Sequence, residues 1–108
     1  MRILMFQPRF RDAVSAGEKT QTIRPPRKRP IRVGDCLSLR AWSGAAYRSP
    51  QCELRRATCL AVSRVVIGAD FADDGEARRD GFGDAAEMRE WFSRAHGLPF
   101  VGDRISWA

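Results

Sequence analysis

The chain has 108 residues, 44% of them hydrophobic, which is enough for one domain with one core and too little for two. No apolar run approaches the roughly 20 residues of a membrane-spanning helix, and the N-terminal MRILMF is too short for a signal-peptide core and has no small-residue cleavage site behind it, so a cytoplasmic protein with no membrane partner is expected. The net charge of +6 is divided unevenly, with 13 basic and 4 acidic residues over 1–56 (net +9) and 6 and 9 over 57–108 (net −3); cations gathered in one half are the footprint of a protein that meets polyanions, nucleic acid or nucleotide first among them.

The first element is a strand over 2–6, RILMF. Pro8 suits the first position of a helix, where its missing N–H costs nothing. Phe10, Ala13 and Val14 follow at helical spacing, and Gly17 can supply the left-handed residue that ends the helix at 16. A strand is expected next over KTQTIR, 19–24, with Gln21 and Ile23 on one face and Thr20, Thr22 and Arg24 on the other. If Ile23 faces the core, the threonines and Arg24 face outward. Pro25 and Pro26 stop any ladder, and PPRKRP, 25–30, becomes a stiff cationic arm.

Residues 36–42 alternate, with Leu37, Leu39 and Ala41 inward, and 57–67 is rich in β-branched residues; both predict strands. Trp42 and Tyr47 flank the turn SGAAYRS between them, where an exposed ring could stack on a base. Asp73, Asp74, Glu76 and Asp80 could together hold a divalent ion, but a solvated acidic loop is the simpler reading. Asp84 and Glu87 form a capping-box pattern for a helix over 85–96, whose apolar stripe is Met88, Trp91, Phe92 and Ala95 and which Gly97 can close. His96 falls at its C-terminal end, a favourable place for a cation. A last strand, 102–107, turns Ile105 and Trp107 inward. Strands outnumber helices and run from one end of the chain to the other. That order fits a small mixed or antiparallel sheet curled toward a barrel, with helices at its ends.

Cys36, Cys52 and Cys59 are odd in number and lack the close pairing of zinc ligands or the density of a disulfide scaffold. They read as reduced, mostly buried thiols. Neither metal nor cofactor is expected.

The order of elements, the segment GEKTQTIR (17–24), the VGD at 33–35 before a strand and ARRDGF (77–82) before the amphipathic helix together resemble the ASCH domain, a family of the PUA-like β-barrel superfamily. The resemblance spans roughly residues 5–107. It is most specific at Gly17, Lys19, Thr20, Thr22, Ile23 and Arg24. It implies an α+β fold, a small PUA-like barrel with flanking helices. A monomer is expected. The resemblance also implies a cleft for RNA, a nucleotide or a modified nucleoside. One branch resembles an acetylcytidine amidohydrolase that uses a lysine, a threonine and a downstream glutamate; those roles fall on Lys19, Thr22 and Asp80. The last is a departure, because aspartate is one methylene shorter. Ribonuclease activity on single-stranded RNA, and RNA binding without turnover, are the alternatives. Thr20, Arg24, Arg27, Lys28, Arg29, Trp42 and Tyr47 are the expected substrate contacts.

Amide hydrolysis needs a nucleophile, a base for its proton and a donor to the leaving amine. Threonine is a weak nucleophile unaided, and a lysine serves as its base only when desolvation and nearby cations such as Arg24 lower its pKa. Spacing adds a condition. Lys19 and Thr22 are three apart, so in one continuous strand they point to opposite faces, and they converge only if Lys19 belongs to the turn after Gly17.

Overall fold

The first strand, β1 (Arg2–Met5), begins a computed structural model that describes all 108 residues. Pro8 starts a single 3-10 turn, Pro8–Phe10, which runs into α1 (Arg11–Ala16), so the helix expected over 8–16 has a tighter first turn. Gly17 stands at φ 78° and returns its N–H to the Ala13 and Val14 carbonyls. Strands β2 (Gln21–Arg24), β3 (Cys36–Trp42) and β4 (Gln51–Ile67) follow, then helices α2 (Asp74–Arg79) and α3 (Ala85–Ala95), then β5 (Phe100–Trp107). This is an α+β chain, and none of its helices is long and apolar enough to cross a membrane.

One mixed sheet holds the five strands in the order β1, β3, β4, β5, β2; β1 lies parallel to β3, and the other pairings are antiparallel. Its central strand serves two neighbours, residues 51–58 pairing with β3 and 59–67 with β5. The register shifts opposite Leu39 and Arg40 and again between Cys59 and Ala61. An extra residue at such a point bends the strand and adds twist, which curls the sheet around its apolar face. The strand expected at 57 therefore starts at Gln51. Half-buried Cys52 and Leu54 alternate with exposed Glu53 and Arg55, a period of two that the charges conceal. Helix α3 lays Met88 and Phe92 onto the curled face, against Leu4, Leu37, Leu39 and Phe100 in one apolar cluster.

Two expectations are corrected. Residues 73–80 are not a solvated loop: Asp73 accepts the Glu76 N–H at 3.0 Å and starts α2, which buries Ala77. A helix of six residues with one apolar anchor has no periodic stripe to betray it. Thr22, expected to face outward, is buried, because the far face of β2 is covered as well.

The sheet is not closed into a barrel; β1 and β2 are its edges. Side chains rather than a ladder span the gap between them. Arg24 of β2 donates to the Met5 carbonyl at 2.6 Å, and Arg27 to the Ile3 carbonyl at 3.1 Å. Residues 3 and 5 are two apart, so these carbonyls lie on one side of β1. In return Arg2 donates to the carbonyls of Arg29 and Pro30. An open strand edge invites pairing with a second chain; here arginines and the proline arm occupy it.

Close approach at the other edge needs a glycine. A Cβ on Gly102 of β5 would lie 2.6 Å from the Arg24 carbonyl oxygen and 2.7 Å from the Phe100 ring. Gly102→Ala is expected to lower the unfolding free energy by about 1–3 kcal/mol, the usual penalty of overpacking, as measured by urea unfolding. An unchanged midpoint would show that β2 can shift at no cost.

Candidate active site at the seam of the sheet

The segment after Gly17 folds back onto the C-terminal end of α2. There the Thr20 N–H donates to the Arg79 carbonyl at 2.8 Å, and the Lys19 ammonium donates to the carbonyl of Asp80. A helix end leaves its last carbonyls without partners and carries partial negative charge, so a cation there is held by main chain and dipole together. Lys19 is 1% exposed. Its Nζ lies 3.7 Å from the Asp80 carboxylate, 4.5 Å from the centroid of the Phe10 ring and 5.8 Å from that of Phe6. The Gln21 amide donates to the other Asp80 oxygen at 3.4 Å. Gly81, at φ 92°, lets the lysine stem pass, since a Cβ there would sit 3.1 Å from Lys19 Cδ.

Lys19 and Asp80 open into a cavity of about 220 Å³ between the ends of β1 and β2. Phe6, Phe10, Phe82, Trp91, Phe92 and His96 form its aromatic wall. Thr22 and Arg24 complete the polar side, with Arg24 Nε donating to the Thr22 hydroxyl at 3.2 Å. Arg24 also stacks on Phe6, its guanidinium carbon 4.7 Å from the ring centroid. The spacing condition on Lys19 and Thr22 is met. Lys19 precedes β2 in the turn, Thr22 lies within the strand, and both line the one cavity.

Burial governs the titration here. It pulls the Lys19 ammonium down to about 8, more than the neighbouring Asp80 carboxylate raises it. It pushes Asp80 up to about 6, more than Lys19 lowers it. Desolvation and the charge of Arg27 bring Arg24 down to about 10. Shifts of this kind in a cleft are what acid–base chemistry near neutral pH requires.

The other expected contacts lie elsewhere. Thr20 is a backbone link, its carbonyl accepting the Trp107 N–H at 3.1 Å. Arg27 is spent on β1, and Lys28 and Arg29 line a separate groove. Trp42 and Tyr47 pair with each other at 5.1 Å, away from the cavity. Of the acids, Glu76 bonds Arg104 and Asp74 accepts the Ala85 N–H, which leaves no cluster of metal-ligating side chains. The cysteines are free, with Cys59 buried, Cys52 intermediate and Cys36 exposed. The aromatic wall is what sequence reasoning missed. Trp91 and Phe92 were legible as a core stripe, and His96 as a helix-end cation, but nothing marked them as facing a cavity. His96 instead stacks on Phe100 at 4.4 Å.

Comparison of the chain with protein-family models, with curated proteins and with solved structures finds no match.

The two shifts fix a pH dependence. Asp80 rises from 3.8 to about 6, so its contribution to stability is full below pH 3.8 and is lost as pH rises through 6. Lys19 falls from 10.5 to about 8, so its contribution is full above 10.5 and is lost as pH falls through 8. Wild type is therefore expected to be weakest, relative to the double variant Lys19→Met/Asp80→Asn, between about pH 6 and 8. Urea unfolding of both proteins from pH 4 to 10 checks this, and a flat difference contradicts it. Lys19→Met alone strands a buried carboxylate and should cost about 3–5 kcal/mol where that carboxylate is ionised; because Lys19 holds the Asp80 carboxyl down, its loss moves the titration above 6, and the cost falls as the pH drops through that higher value.

Proposed function

We propose that the cavity binds a nucleoside and that the protein hydrolyses an amide on its base, with Lys19, Thr22 and Asp80 as the reacting group and the sheet as a PUA-like barrel of the ASCH type whose seam is the site. One observation carries this reading: an almost wholly buried lysine–carboxylate pair opens, beside a threonine and an arginine, onto an aromatic-walled cavity. Aromatic faces suit a planar base. The volume of about 220 Å³ exceeds the roughly 150 Å³ that accommodates a benzene, leaving room for one heterocycle and a small acyl group. The arginine bridges between β1 and β2 support the barrel reading, since they continue around the curl where main-chain pairing stops.

Arg24 donates to the Thr22 oxygen, so the hydroxyl proton is free for another acceptor and a developing alkoxide is stabilised. Neutral Lys19 takes that proton as the oxygen attacks the acyl carbon. As ammonium it then returns the proton to the exocyclic nitrogen when the C–N bond breaks. Water cleaves the resulting threonine ester, releasing the carboxylic acid and restoring the hydroxyl. Asp80 orients Lys19 throughout and balances its charge.

Incubation with N4-acetylcytidine is expected to yield cytidine and acetate, at a rate that rises with pH and levels off near 8 as Lys19 loses its proton. Lys19→Ala and Thr22→Val should each lower the rate by at least about a hundredfold. Lys19→Arg should do the same, because arginine stays protonated; an active Lys19→Arg protein rejects the base role. A second reading rests on the bond from Lys19 to the Asp80 carbonyl, which makes the lysine a structural tie and the cavity a binding site without turnover. Tight nucleoside binding with no product from acetylcytidine favours that reading, and cleavage of single-stranded RNA favours a ribonuclease.

A further inference from the structure

A second hollow lies beside the proline arm. Arg2, Lys28, Arg29, Pro30, Arg32 and Asp35 line a groove of about 450 Å³ with no hydrophobic wall. Two of its charged groups are engaged. Arg2 is held by the carbonyls of Arg29 and Pro30, and Asp35 accepts the Arg32 N–H at 2.9 Å and lies 3.7 Å from Arg2. The side chains of Lys28, Arg29 and Arg32 are exposed, and none of them donates a hydrogen bond or joins an ion pair.

Free cations are ordinary on a surface when they can spread apart. Here the backbone that carries Lys28 and Arg29 is held in place. Pro25, Pro26 and Pro30 fix the path of the arm, and the bonds of Arg2 to its carbonyls and of Arg27 to β1 pin it at both ends. Arg27, next to them on the arm, has its guanidinium pulled down by desolvation and then by the charge of Arg2. Repulsion among like charges that line one groove is relieved by a bound anion. Two planar guanidinium forks and an ammonium match the several oxygens and double charge of a phosphate better than the single charge of a carboxylate.

The groove and the cavity share the arm: Pro25 lines one and Lys28 the other, and three residues of extended chain put at most about 10 Å between their backbones. We propose that the groove is a phosphate site, and that it receives the phosphate of a nucleotide whose base occupies the cavity. The base half of this assignment rests on the nucleoside reading above; the phosphate half does not. The phosphate can be the doubly charged terminal group of a mononucleotide or an internal phosphodiester of a strand, which offers the same kind of oxygens with a single charge.

Four probes test it: inorganic phosphate, cytidine, cytidine 5′-monophosphate and a short single-stranded RNA. Each is titrated into wild type and into the triple variant Lys28→Ser/Arg29→Ser/Arg32→Ser, whose exposed changes leave the core intact. Inorganic phosphate is expected to shift the backbone amide resonances of residues 28, 29, 31 and 32 in wild type and not in the variant. Cytidine monophosphate should bind at least about tenfold more tightly than cytidine at low salt, the two becoming equal in the variant while cytidine itself is unaffected. If the oligonucleotide binds more tightly still, and its log K against log salt slope is shallower by about two in the variant, at roughly 0.7 per single-strand contact, internal phosphodiesters are the source. If it binds no better than the monophosphate, the terminal phosphate is. No response to inorganic phosphate, or a variant that keeps the full preference for the monophosphate, overturns the proposal. Phosphate binding with no binding of cytidine leaves the groove established and overturns the nucleoside reading of the cavity.

Discussion

One buried ammonium organises this protein. Lys19 cannot be removed from water without partners, and they come from two other parts of the chain: the carbonyl and carboxylate of Asp80 at the end of α2, and the ring of Phe10. To bring it there the chain must reverse after α1, which the left-handed Gly17 allows, and must leave α2 without a side chain in the way, which Gly81 allows. Phe82, next in sequence, packs on Phe10 at 5.5 Å and on Trp91 at 5.8 Å. The turn that places the charge therefore also places the aromatic wall. Packing α2 against β2 and building the cavity are one event, because a buried charge tolerates no loosening of its partners.

Arginine acts in this fold first as a connector. Arg2, Arg24 and Arg27 each send a guanidinium to a main-chain carbonyl, and together they tie the arm and β2 to the free edge of β1. The excess of cations in the first 56 residues thus overstates what is offered to a ligand. Part of it closes the fold, and three of the cations left unpaired, Lys28, Arg29 and Arg32, line the groove beside the arm. A planar fork with donors on two sides can bond a carbonyl and still lie across a ring, as Arg24 does over Phe6.

Elements with a strong period were legible from sequence: β3 with Leu37, Leu39 and Ala41 inward, and α3 with Asp84 accepting the Glu87 N–H at 2.8 Å and Gly97 closing the last turn. Glu87 completes its cap differently from the expected pattern, accepting the Gly83 N–H at 3.1 Å. The first half of β4 and all of α2 were hidden, the one by exposed charges and the other by its short length. At the site, Lys19, Thr22 and Asp80 were singled out before any geometry was known. Their burial was not foreseen, because an alternating strand says which residues share a face and nothing about whether a helix covers that face. The role of Arg27 was misread for a related reason: a cation beside prolines looks solvent-facing until the edge it binds is in view.

The shortness of Asp80 follows from where its backbone lies. The Asp80 carbonyl already meets Lys19, so its carboxylate needs little reach to meet the same ammonium, and the Gln21 amide fixes it from the other side. A glutamate here would carry its charge about one bond length further from the same backbone. With aspartate, lysine and acid are both held back against α2 in the driest part of the site. That is the condition under which burial outweighs their mutual attraction and brings both titrations toward neutrality. The short reach of Asp80 keeps the pair desolvated enough for the lysine to lose its proton near pH 8.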